Sequence, residues 1–489
     1  MRKLTITLTA LLLAGLSAAR GAPPQAVPHE PAARKAESFD RDPGWEGHNH
    51  RLVKAAPTVT QDFGYSPTSF AAQAKGEVGG QVWRAVTPAW YADRIPPKTL
   101  DDQLSASGTF ALTGPGASGV CFGWSNSRQS EGTARPVAAL GLQIGTSRAG
   151  ARLHVRLHTA ENHSCGMPVE PPGQRKVRDA FRNDGTRYTW KLDYDPQANG
   201  GNGRITFTVR SNLAKPEPFE REAFVLDVPP GYRKQGTVFD RFGLMNVTKP
   251  GGQTTVYFGD LQYDGRTPDL TRDPGWEAVS NRAASSKGAS GAHDFGFSNT
   301  RHAGGQPGEV GGTLWRTGKT WGYYADRVGP LSLDGRLEAS GKVILEVGAP
   351  DSGMYLGWFL ARPQERAPDL AGNFLGVKVA GPSRVGHYFR PAYTTAQGAP
   401  RAAGQGPVLV PGRVYDWALV YDPAANGGLG SIRATLGGES CTFDLKQGDR
   451  AEGTRFDRFG LFSVNNDGGH AQLRIYFDDL KYTAAPPAR

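Results

Sequence analysis

The stretch "YTWKLDYDPQANGGNGRITFTVR", residues Tyr188–Arg210, predicts two β-strands joined by a tight turn. Apolar and polar residues alternate on both sides of "DPQANGG", and Pro, Asn and Gly are the residues that tight turns favour. The same pattern returns at Tyr415–Gly437 as "YDWALVYDPAANGGLGSIRATLG". Each stretch is therefore predicted to form a β-hairpin, and the recurrence indicates that a structural unit is repeated.

The repetition extends through most of the chain. "RDPGWE" begins at Arg41 and again at Arg272, and further phrases return in the same order. They are "GEVGG" at Gly76 and Gly308, "YADR" at Tyr91 and Tyr324, and "FDRFGL" at Phe239 and Phe456. Because the copies are colinear, the sequence indicates a tandem duplication of a domain-sized unit of about 225 residues.

Composition and pattern together predict an all-β fold. The chain has 65 glycines, 36 prolines and 10% aromatic residues, and its apolar runs are short and bounded by turn residues. Many short strands without crossover helices favour antiparallel two-sheet packing. We therefore predict two tandem antiparallel β-sandwich domains, residues 39–266 and residues 267–489.

The first residues predict export. Arg2 and Lys3 precede an apolar run from Leu4 to Leu16, and small residues follow it. This order is typical of a secretory signal peptide, here residues 1–19, and the run is too short to span a bilayer. Residues 20–38 are rich in Pro and Ala and are predicted to form a flexible leader. We expect a secreted protein, extracellular or periplasmic, without membrane insertion.

Charge and cysteine content narrow the possible partners and the covalent chemistry. The net charge is +10, but the basic residues are scattered, and we find no spacing typical of a nucleic-acid-binding motif. An acidic polysaccharide is the partner that this charge favours, and plain solubility is the alternative. Cys121 and Cys165 could pair in an oxidising compartment, which would leave Cys441 over; the alternative is three buried free thiols.

The hairpins around Trp190 and Trp417 and the closing phrases resemble a known superfamily. The phrases are "FGL…VYFGDLQY" in the first copy and "FGL…IYFDDLKY" in the second. They resemble the concanavalin A-like lectin/glucanase superfamily, which includes laminin-G-like modules. The resemblance implies two jelly rolls, each with one concave face, and a carbohydrate ligand, since the superfamily contains lectins, glycoside hydrolases and polysaccharide lyases. The Glu-x-Asp-x-x-Glu motif of its glucanases is not found in this sequence.

The repeated "RDPGWE" has two interpretations. Asp-Pro-Gly is a turn sequence, and the Trp that follows is most simply an anchor in the core. Alternatively, the first and last strands of a jelly roll lie side by side, so carboxylates at the two ends of each unit could hold a structural Ca²⁺. The predicted metal ligands are Asp42, Glu46 and Asp260 in the first unit, and Asp273, Glu277, Asp478 and Asp479 in the second.

"GEVGG…WR…YADR" is the repeated stretch with the most chemistry. Glycines leave space for a ligand, indole rings stack on sugars, and planar polar groups bind hydroxyls. The alternative is a Gly bulge, a core Trp and a surface Arg–Asp pair. The residues predicted to bind substrate are Glu77, Trp83, Arg84 and Tyr91 in the first unit, and Trp315, Arg316, His387, Tyr388 and Arg390 in the second.

Catalytic candidates fall in the second unit, where His302 stands in place of Phe70. A polysaccharide lyase needs a base and cations that stabilise a carboxylate, whereas hydrolysis needs two carboxylates about 5–9 Å apart. The catalytic candidates are His302, Glu309, Tyr324 and Asp326, although a lone histidine is more often only hydrogen-bonded. No organic cofactor is expected.

Three functions follow as hypotheses. The first is a secreted protein that binds a polysaccharide and cleaves it, as a glycoside hydrolase or a polysaccharide lyase, in the second domain or at the domain interface. The second is a carbohydrate-binding or adhesion protein without catalysis, which gains avidity from two similar sites. The third is a calcium-stabilised structural protein of the cell surface.

Overall fold

The computed structural model of the protein describes residues 33–171, 180–213, 223–317, 321–361, 373–381, 386–398, 400–464 and 471–485. The predicted signal peptide, residues 1–19, lies outside them. Within these ranges every regular element is a β-strand or a short 3-10 turn, so the predicted all-β fold class is confirmed. No helix in the described part of the chain is long and apolar enough to cross a membrane.

The strands are numbered in chain order. Strands β1 to β9 are Ala33–Glu37, Glu46–His48, Arg51–Leu52, Thr58–Thr60, Asp62–Ser66, Glu77–Trp83, Trp90–Thr99, Leu104–Leu112 and Gly119–Ser125. Strands β10 to β17 are Ala139–Thr146, Ala151–His158, Ser164–Val169, Arg187–Asp195, Arg204–Ser211, Phe224–Asp227, Val238–Asn246 and Gln253–Tyr263.

Strands β18 to β25 are Glu277–Val279, Ala284–Ser286, His293–Ser298, Glu309–Trp315, Tyr323–Ser332, Leu337–Gly348, Gly353–Phe359 and Phe374–Ala380. Strands β26 to β33 are His387–Thr394, Arg401–Ala402, Val408–Leu409, Val414–Asp422, Ser431–Leu436, Glu439–Asp444, Arg455–Ser463 and Gln472–Ala484. The 3-10 turns are Asn199–Gly201, Tyr232–Lys234, Asn426–Gly428 and Asp449–Glu452.

The strands form two sandwiches, each with its own apolar core. In each sandwich we call the sheet that contains the repeated hairpin the hairpin sheet, and the other one the front sheet. The first sandwich has the hairpin sheet β15-β14-β13-β8-β17-β6-β5 and the front sheet β12-β11-β10-β9-β16-β7-β18. The second has the hairpin sheet β3-β20-β21-β33-β23-β29-β30-β31, with β1 also on β33, and the front sheet β2-β22-β32-β24-β25-β26-β27, with β28 on β26.

Both predicted hairpins are confirmed. β13 pairs with β14 from Tyr188 opposite Ser211 to Asp195 opposite Arg204, and β29 pairs with β30 in the same way. Because side chains alternate between the faces of a strand, every second residue enters the core. The buried hydroxyl of Tyr194 donates to the carbonyl of Leu100 at 2.7 Å, and Tyr421 repeats this contact in the second sandwich.

The two "RDPGWE" segments are exchanged between the sandwiches. At the start of the chain, β1 pairs with β33, β2 with β22 and β3 with β20, all in the second sandwich. In the first sandwich, β18 pairs with β7. This differs from the predicted division, because residues 33–37 of the predicted leader form a strand, and residues 39–52, assigned to the first domain, join the second sandwich. Residues 267–279, assigned to the second domain, join the first.

Each "RDPGWE" segment places its tryptophan in a niche between two tyrosines. The ring of Trp276 lies 5.6 Å from that of Tyr91 and 6.2 Å from that of Tyr263. Trp45 lies 5.7 Å from Tyr324 and 6.1 Å from the ring of Tyr482. An aromatic side chain buries about 150–250 Å², so each tryptophan contributes strongly to closing one sandwich edge. The interpretation of this Trp as a core anchor therefore agrees with the structure.

The cysteines are separate thiols in the structure. Cys121 and Cys165 are buried, Cys441 is partly buried, and all three are free. Of the two alternatives left open by the sequence, the geometry matches the one with free thiols.

Candidate functional site

The two glutamates of "GEVGG" are structural. Both are buried, and Glu77 accepts hydrogen bonds from the Thr68 hydroxyl at 2.6 Å and from the backbone N–H groups of Phe70 and Ala71 at 2.9 and 2.7 Å. Glu309 accepts the matching bonds from Thr300, His302 and Ala303. Since these donors occupy the carboxylate oxygens, Glu309 holds a loop in place and does not face a substrate, contrary to its predicted catalytic role.

The glycines before these glutamates make room for the chain itself. A Cβ atom on Gly76 would lie 1.6 Å from the carbonyl oxygen of Leu270, and one on Gly308 would lie 1.9 Å from that of Phe39. Both glycines have positive φ values, +113° and +116°. The space that we predicted for a ligand is therefore occupied by the backbone just before each "RDPGWE" segment.

The carboxylates predicted for calcium are not grouped as expected. In the second sandwich, Asp42 accepts a hydrogen bond from the Tyr324 hydroxyl at 2.9 Å, and Glu46 pairs with Arg327 and Arg458. The hydrogen bond from Tyr323, together with these two arginines, lowers the pKa of Glu46 to about 2.

Their expected partner Asp260 lies instead in the first sandwich, where it accepts the backbone N–H of Gln73. The exchange of the segments is the reason for this separation.

The second predicted metal group is divided in the same way. In the first sandwich, Asp273 accepts the Tyr91 hydroxyl, and Glu277 pairs with Arg241, each at 2.5 Å. In the second, Asp479 pairs with Lys342 at 2.6 Å, while burial raises the pKa of Asp478 to about 6. Among the described residues, no group of three His, Cys, Asp or Glu side chains could hold a metal ion.

The predicted cleft of the second unit is not formed, because its members lie on different sheets. Glu309 and Trp315 belong to β21 of the hairpin sheet, whereas Tyr324 and Asp326 belong to β22 of the front sheet. Trp315 is buried and offers no stacking surface. Asp326 is buried between Tyr482, at 2.6 Å, and Lys35, at 2.9 Å.

Trp83 ends strand β6, and Arg84 follows it. Arg316 likewise follows the last residue of strand β21. Arg316 donates to the carbonyl of Asp351 at 3.1 Å. Trp83 is half-buried, and the Lys287 ammonium lies 5.4 Å from its ring centroid. Arg84 packs against Gly119 and Gly251, next to the front sheet of the first sandwich.

His302 lies on the outer face of the hairpin sheet. Its ring stacks on that of Tyr476 with centroids 4.5 Å apart, and its Nδ1 contacts the carboxylate of Glu346, which also binds Arg474 at 2.8 Å. In the first sandwich Phe70 stacks on Tyr257 in the same way, at 4.7 Å. His302 therefore occupies the place of an aromatic packing residue.

The remaining histidine candidate, His387, is buried in the second sandwich. Its Nε2 is 2.8 Å from the Ser352 hydroxyl, and burial lowers its pKa to about 3. Arg390 lies over the ring of Tyr388, with its guanidinium carbon 5.8 Å from the centroid, and it donates to two backbone carbonyls. These residues stabilise the fold of the β26 edge.

A different surface, missed in the sequence, has the character of a site. It is the outer face of the first front sheet, where β16, β9, β10 and β11 lie side by side. Gly243, Gly123, Gly141 and Arg156 form one row across these strands. Met245, Cys121, Gln143 and His154 form the next row, and Arg241, Ser125, Ala139 and His158 the row on the other side.

The glycine row leaves a groove in this face, because three of its four positions carry no side chain. The groove contains a small cavity of about 20 Å³ lined by side chains of all three rows, including Cys121, Gln143, Arg156 and His158. We call the groove the first groove. A second cavity of about 240 Å³, between the sandwiches, is lined by His158 and Arg135 on one side and by Glu346 on the other. His158 thus borders both cavities.

The first groove is electropositive. Arg156 lines it, Arg84 lies near Cys121 and Arg152 near His154, and burial, together with Arg156 and Arg152, lowers the pKa of His154 to about 4. Burial raises the pKa of Cys121 to about 12, so this thiol is neutral. Within the described residues, no carboxylate forms an ion pair with Arg84, Arg152 or Lys249. Of the predicted binding residues, Arg84 is the one found here.

The signal that could have revealed this surface lies in two stretches. "LGLQIG" and "ARLHVRLH" alternate apolar residues with Gln143, His154, Arg156 and His158. Strand alternation places these polar side chains on one face. The cross-strand partners Cys121 and Met245 come from distant parts of the chain.

The chain was also compared with known proteins. No family model matches it, and no curated protein matches it. Among solved structures, it is similar to domains LG4-5 of mouse laminin alpha1, with 13% identity, a TM-score of 0.25, and coverage of 86% of this chain and 99% of that one.

Two further likenesses cover less of this chain. Peanut lectin has 14% identity and a TM-score of 0.26, over 40% of this chain and 92% of that one. The endo-beta-1,4-glucuronan lyase from the fungus Trichoderma reesei has 10% identity and a TM-score of 0.27, over 39% and 87%.

Proposed function

We propose that the protein binds an anionic polysaccharide in the first groove. The observation that carries this proposal is the glycine row Gly243–Gly123–Gly141, which opens a trough leading to Arg156. An elongated trough suits a chain-like ligand, and a floor without side chains lets flat rings approach the backbone.

The charge of the groove favours an anionic ligand. Arg152, Arg156 and Arg84 lie close enough to one another to affect the same neighbours, His154 and Cys121. Guanidinium groups that lie close together attract a ligand of opposite charge. Carboxylate or sulfate groups are spaced along an acidic polysaccharide, and Arg binds carboxylates through paired hydrogen bonds.

Arg156→Ala tests the proposal. Binding to acidic and neutral polysaccharides would be measured by calorimetry, with Arg433→Ala as the matched control, because Arg433 is an exposed strand arginine of the second sandwich. Loss of a hydrogen-bonded charge contact weakens binding about 10- to 100-fold, and we expect this for acidic polysaccharides and Arg156→Ala only. Unchanged affinity in Arg156→Ala, or equal losses in both variants, would contradict the proposal.

Cleavage by elimination is a second candidate for the same groove. His154 is neutral at pH 7, because its pKa is about 4, and it stands between Arg152 and Arg156 on one strand. A neutral imidazole could take the proton beside a uronate carboxylate while the guanidinium groups stabilise the developing charge. The electron pair then forms the ring double bond, and the glycosidic oxygen leaves with the proton that the His154 imidazolium returns to it.

The two candidates are separated by their products. Acidic polysaccharides would be incubated with the protein and with His154→Gln, and unsaturated sugars would be measured by absorbance. Elimination predicts products from the unaltered protein and about 100-fold fewer from the variant. Binding without products would leave the protein a carbohydrate-binding module.

Two further expectations belong with this proposal. The apolar run from Leu4 to Leu16 predicts secretion, which fits a glycan ligand, and fractionation of a host that expresses the full chain would test it. We also infer that the two sandwiches descend from one duplicated unit. The matched glycine row of the second front sheet, Gly460, Gly357 and Gly376, supports this inference.

A further inference from the structure

Residues 33–52, which we call the clasp, pack on the second sandwich as three short strands. β1 pairs with β33, from Ala33 opposite Ala484 to Glu37 opposite Leu480. β2 pairs with β22, and β3 pairs with β20. The clasp thus touches both sheets of the second sandwich. We call the surface formed by these three partner strands the clasp site.

Two aromatic side chains anchor the clasp. Phe39 and Trp45 are buried in the core of the second sandwich, with ring centroids 5.4 Å apart at an edge-to-face angle of 74°. Trp45 also lies beside Tyr324 and Tyr482 of the clasp site. Because large rings in a preformed niche dominate the energy of most interfaces, these two contacts supply most of the apolar attachment.

Charged contacts add specificity to the attachment. Glu46 binds Arg327 at 2.7 Å and Arg458 at 2.9 Å, and Lys35 binds Asp326 at 2.9 Å. Arg34 also pairs with Glu338. Each of these pairs joins a clasp residue to a partner far along the chain, so the clasp is recognised as a ligand would be.

The connection between the clasp and the first sandwich is thin. Residues 53–57 form no strand and are all exposed, and the side chain of Val53 is 86% exposed. In the first sandwich, by contrast, the equivalent segment follows directly after the last strand, β17, through residues 264–276. The clasp therefore reaches the second sandwich from outside it, whereas the segment that closes the first sandwich continues from that sandwich's own last strand.

We propose that the clasp is exchangeable, and that the clasp site also binds the clasp of a second copy of this chain. An element that makes its contacts outside its own sandwich and hangs on a short exposed hinge is the kind that identical chains exchange at little energetic cost. The partner's clasp would form the same strand pairs, ring contacts and ion pairs. The surface left open by one chain is therefore complementary to the other.

The first test uses the full chain with a protease site in place of residues 53–57. After cutting, the clasp is expected to stay on the protein in gel filtration and to be replaced by an excess of dye-labelled peptide 33–52. The uncut protein should bind at least tenfold less peptide, because its clasp site is occupied. The peptide with Trp45→Ala should bind the cut protein at least tenfold more weakly.

Two results would overturn the exchange. One is a clasp that stays on the cut protein against any excess of peptide below the unfolding temperature. The other is a clasp that leaves on cutting while labelled peptide fails to bind. Peptide 264–283 carries the same "RDPGWE" and has Arg266 in the place of Lys35, but Gly265 in the place of Arg34, and we expect it to bind more weakly than peptide 33–52. Equal binding would show that the contact of Arg34 has no role.

The second test asks whether a second copy is the partner. Full chains labelled with donor and acceptor dyes would be mixed at high concentration, warmed to just below the melting temperature and cooled. A dimer with energy transfer is expected, and much less of it with Trp45→Ala. Absence of dimer at every concentration, although peptide 33–52 exchanges, would overturn the role of the second copy.

Discussion

The outer faces of the two front sheets have the same backbone plan but opposite contents. Both have a row of three glycines, Gly243–Gly123–Gly141 in the first sandwich and Gly460–Gly357–Gly376 in the second. Cys121 and Met245 flank the first row, whereas Tyr355 and Phe462 stand at the matching places of the second. The backbone arrangement is the same in both faces, so the side chains decide whether a groove exists.

A packed cluster of aromatic side chains fills the outer face of the second front sheet. The rings of Tyr355 and Phe462 are stacked with centroids 5.1 Å apart, and those of Phe359 and Phe374 lie 4.9 and 5.2 Å from Phe462. All four side chains are buried. The matching positions in the first sandwich hold Cys121, Met245, Ser125 and Ala139, which are much smaller or more flexible.

The outer faces of the two front sheets also differ in charge, and the first face carries the basic side chains. Arg156, at the end of the first glycine row, is matched by Ala392, and His158 by Thr394. The second face keeps cations at its margin, where the Lys378 ammonium lies 5.3 Å from the ring centroid of Tyr355. One face is thus suited to binding an anion, and the other stabilises its own sandwich. Two equal sugar sites on these two faces are therefore not expected, and the hypothesis of a binding protein with two similar sites would need another surface.

Removing a ring from the filled face should have the largest effect. Phe462→Ala is expected to lower the free energy of unfolding by about 3–5 kcal/mol, because it leaves a cavity among buried rings. Met245→Ala, at the matching place, should cost about 2 kcal/mol, since its surroundings are less tightly packed. Denaturant unfolding of both variants measures the difference. Equal losses would break the comparison between a filled and an open face.

Acid should destabilise the second sandwich through His387. Its pKa is lowered to about 3 by burial. In the unfolded chain a histidine takes up a proton below pH about 6.5, whereas in the folded protein His387 remains neutral until about pH 3. Protons therefore favour the unfolded state in this window, and stability falls as the pH falls.

From pH 7 to pH 5 we expect a loss of about 2 kcal/mol from this group. The first sandwich has Ala151 at the matching position of its front sheet, but burial lowers the pKa of His158 and of His154 there, so acid destabilises the first sandwich through these two groups. His387→Gln should flatten the pH dependence of denaturant unfolding. An unchanged pH profile in that variant would show that His387 does not carry the effect.

Filling the open groove should weaken its binding. Cys121→Tyr copies Tyr355 into the first groove and is expected to weaken the binding of an acidic polysaccharide about tenfold, because the ring covers the backbone of the glycine row. Calorimetry measures the affinity, and a melting curve measures the stability. Cys165→Ser is the matched control, since Cys165 is a buried thiol outside the lining of the first groove. Unchanged polysaccharide affinity in Cys121→Tyr would show that the ligand binds another surface.

Part of the fold could be predicted from local pattern. The alternation in Tyr188–Arg210 and Tyr415–Gly437 predicted the two hairpins, and the structure confirms them. Every second residue of a strand faces the core, so a strand can be predicted from the residues that neighbour one another in the sequence.

The candidate site could not be predicted in the same way. Glu309, Trp315, Tyr324 and Asp326 are close in sequence, but consecutive strands β21 and β22 belong to different sheets of the sandwich. The side chains that were predicted to act together therefore lie in two different sheets. The first groove, in turn, joins Cys121, Gln143, Arg156 and Met245, which are brought together by strand pairing.

By itself the sequence determined that the protein is β-structured and where its two hairpins lie, and it indicated a repeated unit and a buried Trp as one interpretation of each "RDPGWE". Only the tertiary structure decided which sandwich each of those segments closes, that Glu77 and Glu309 hold loops, and that one front face is open and the other filled. The reason is physical. Alternation and turn residues act over a few positions of the chain, whereas niches, cross-strand rows and cavities are made by residues separated by tens to hundreds of positions.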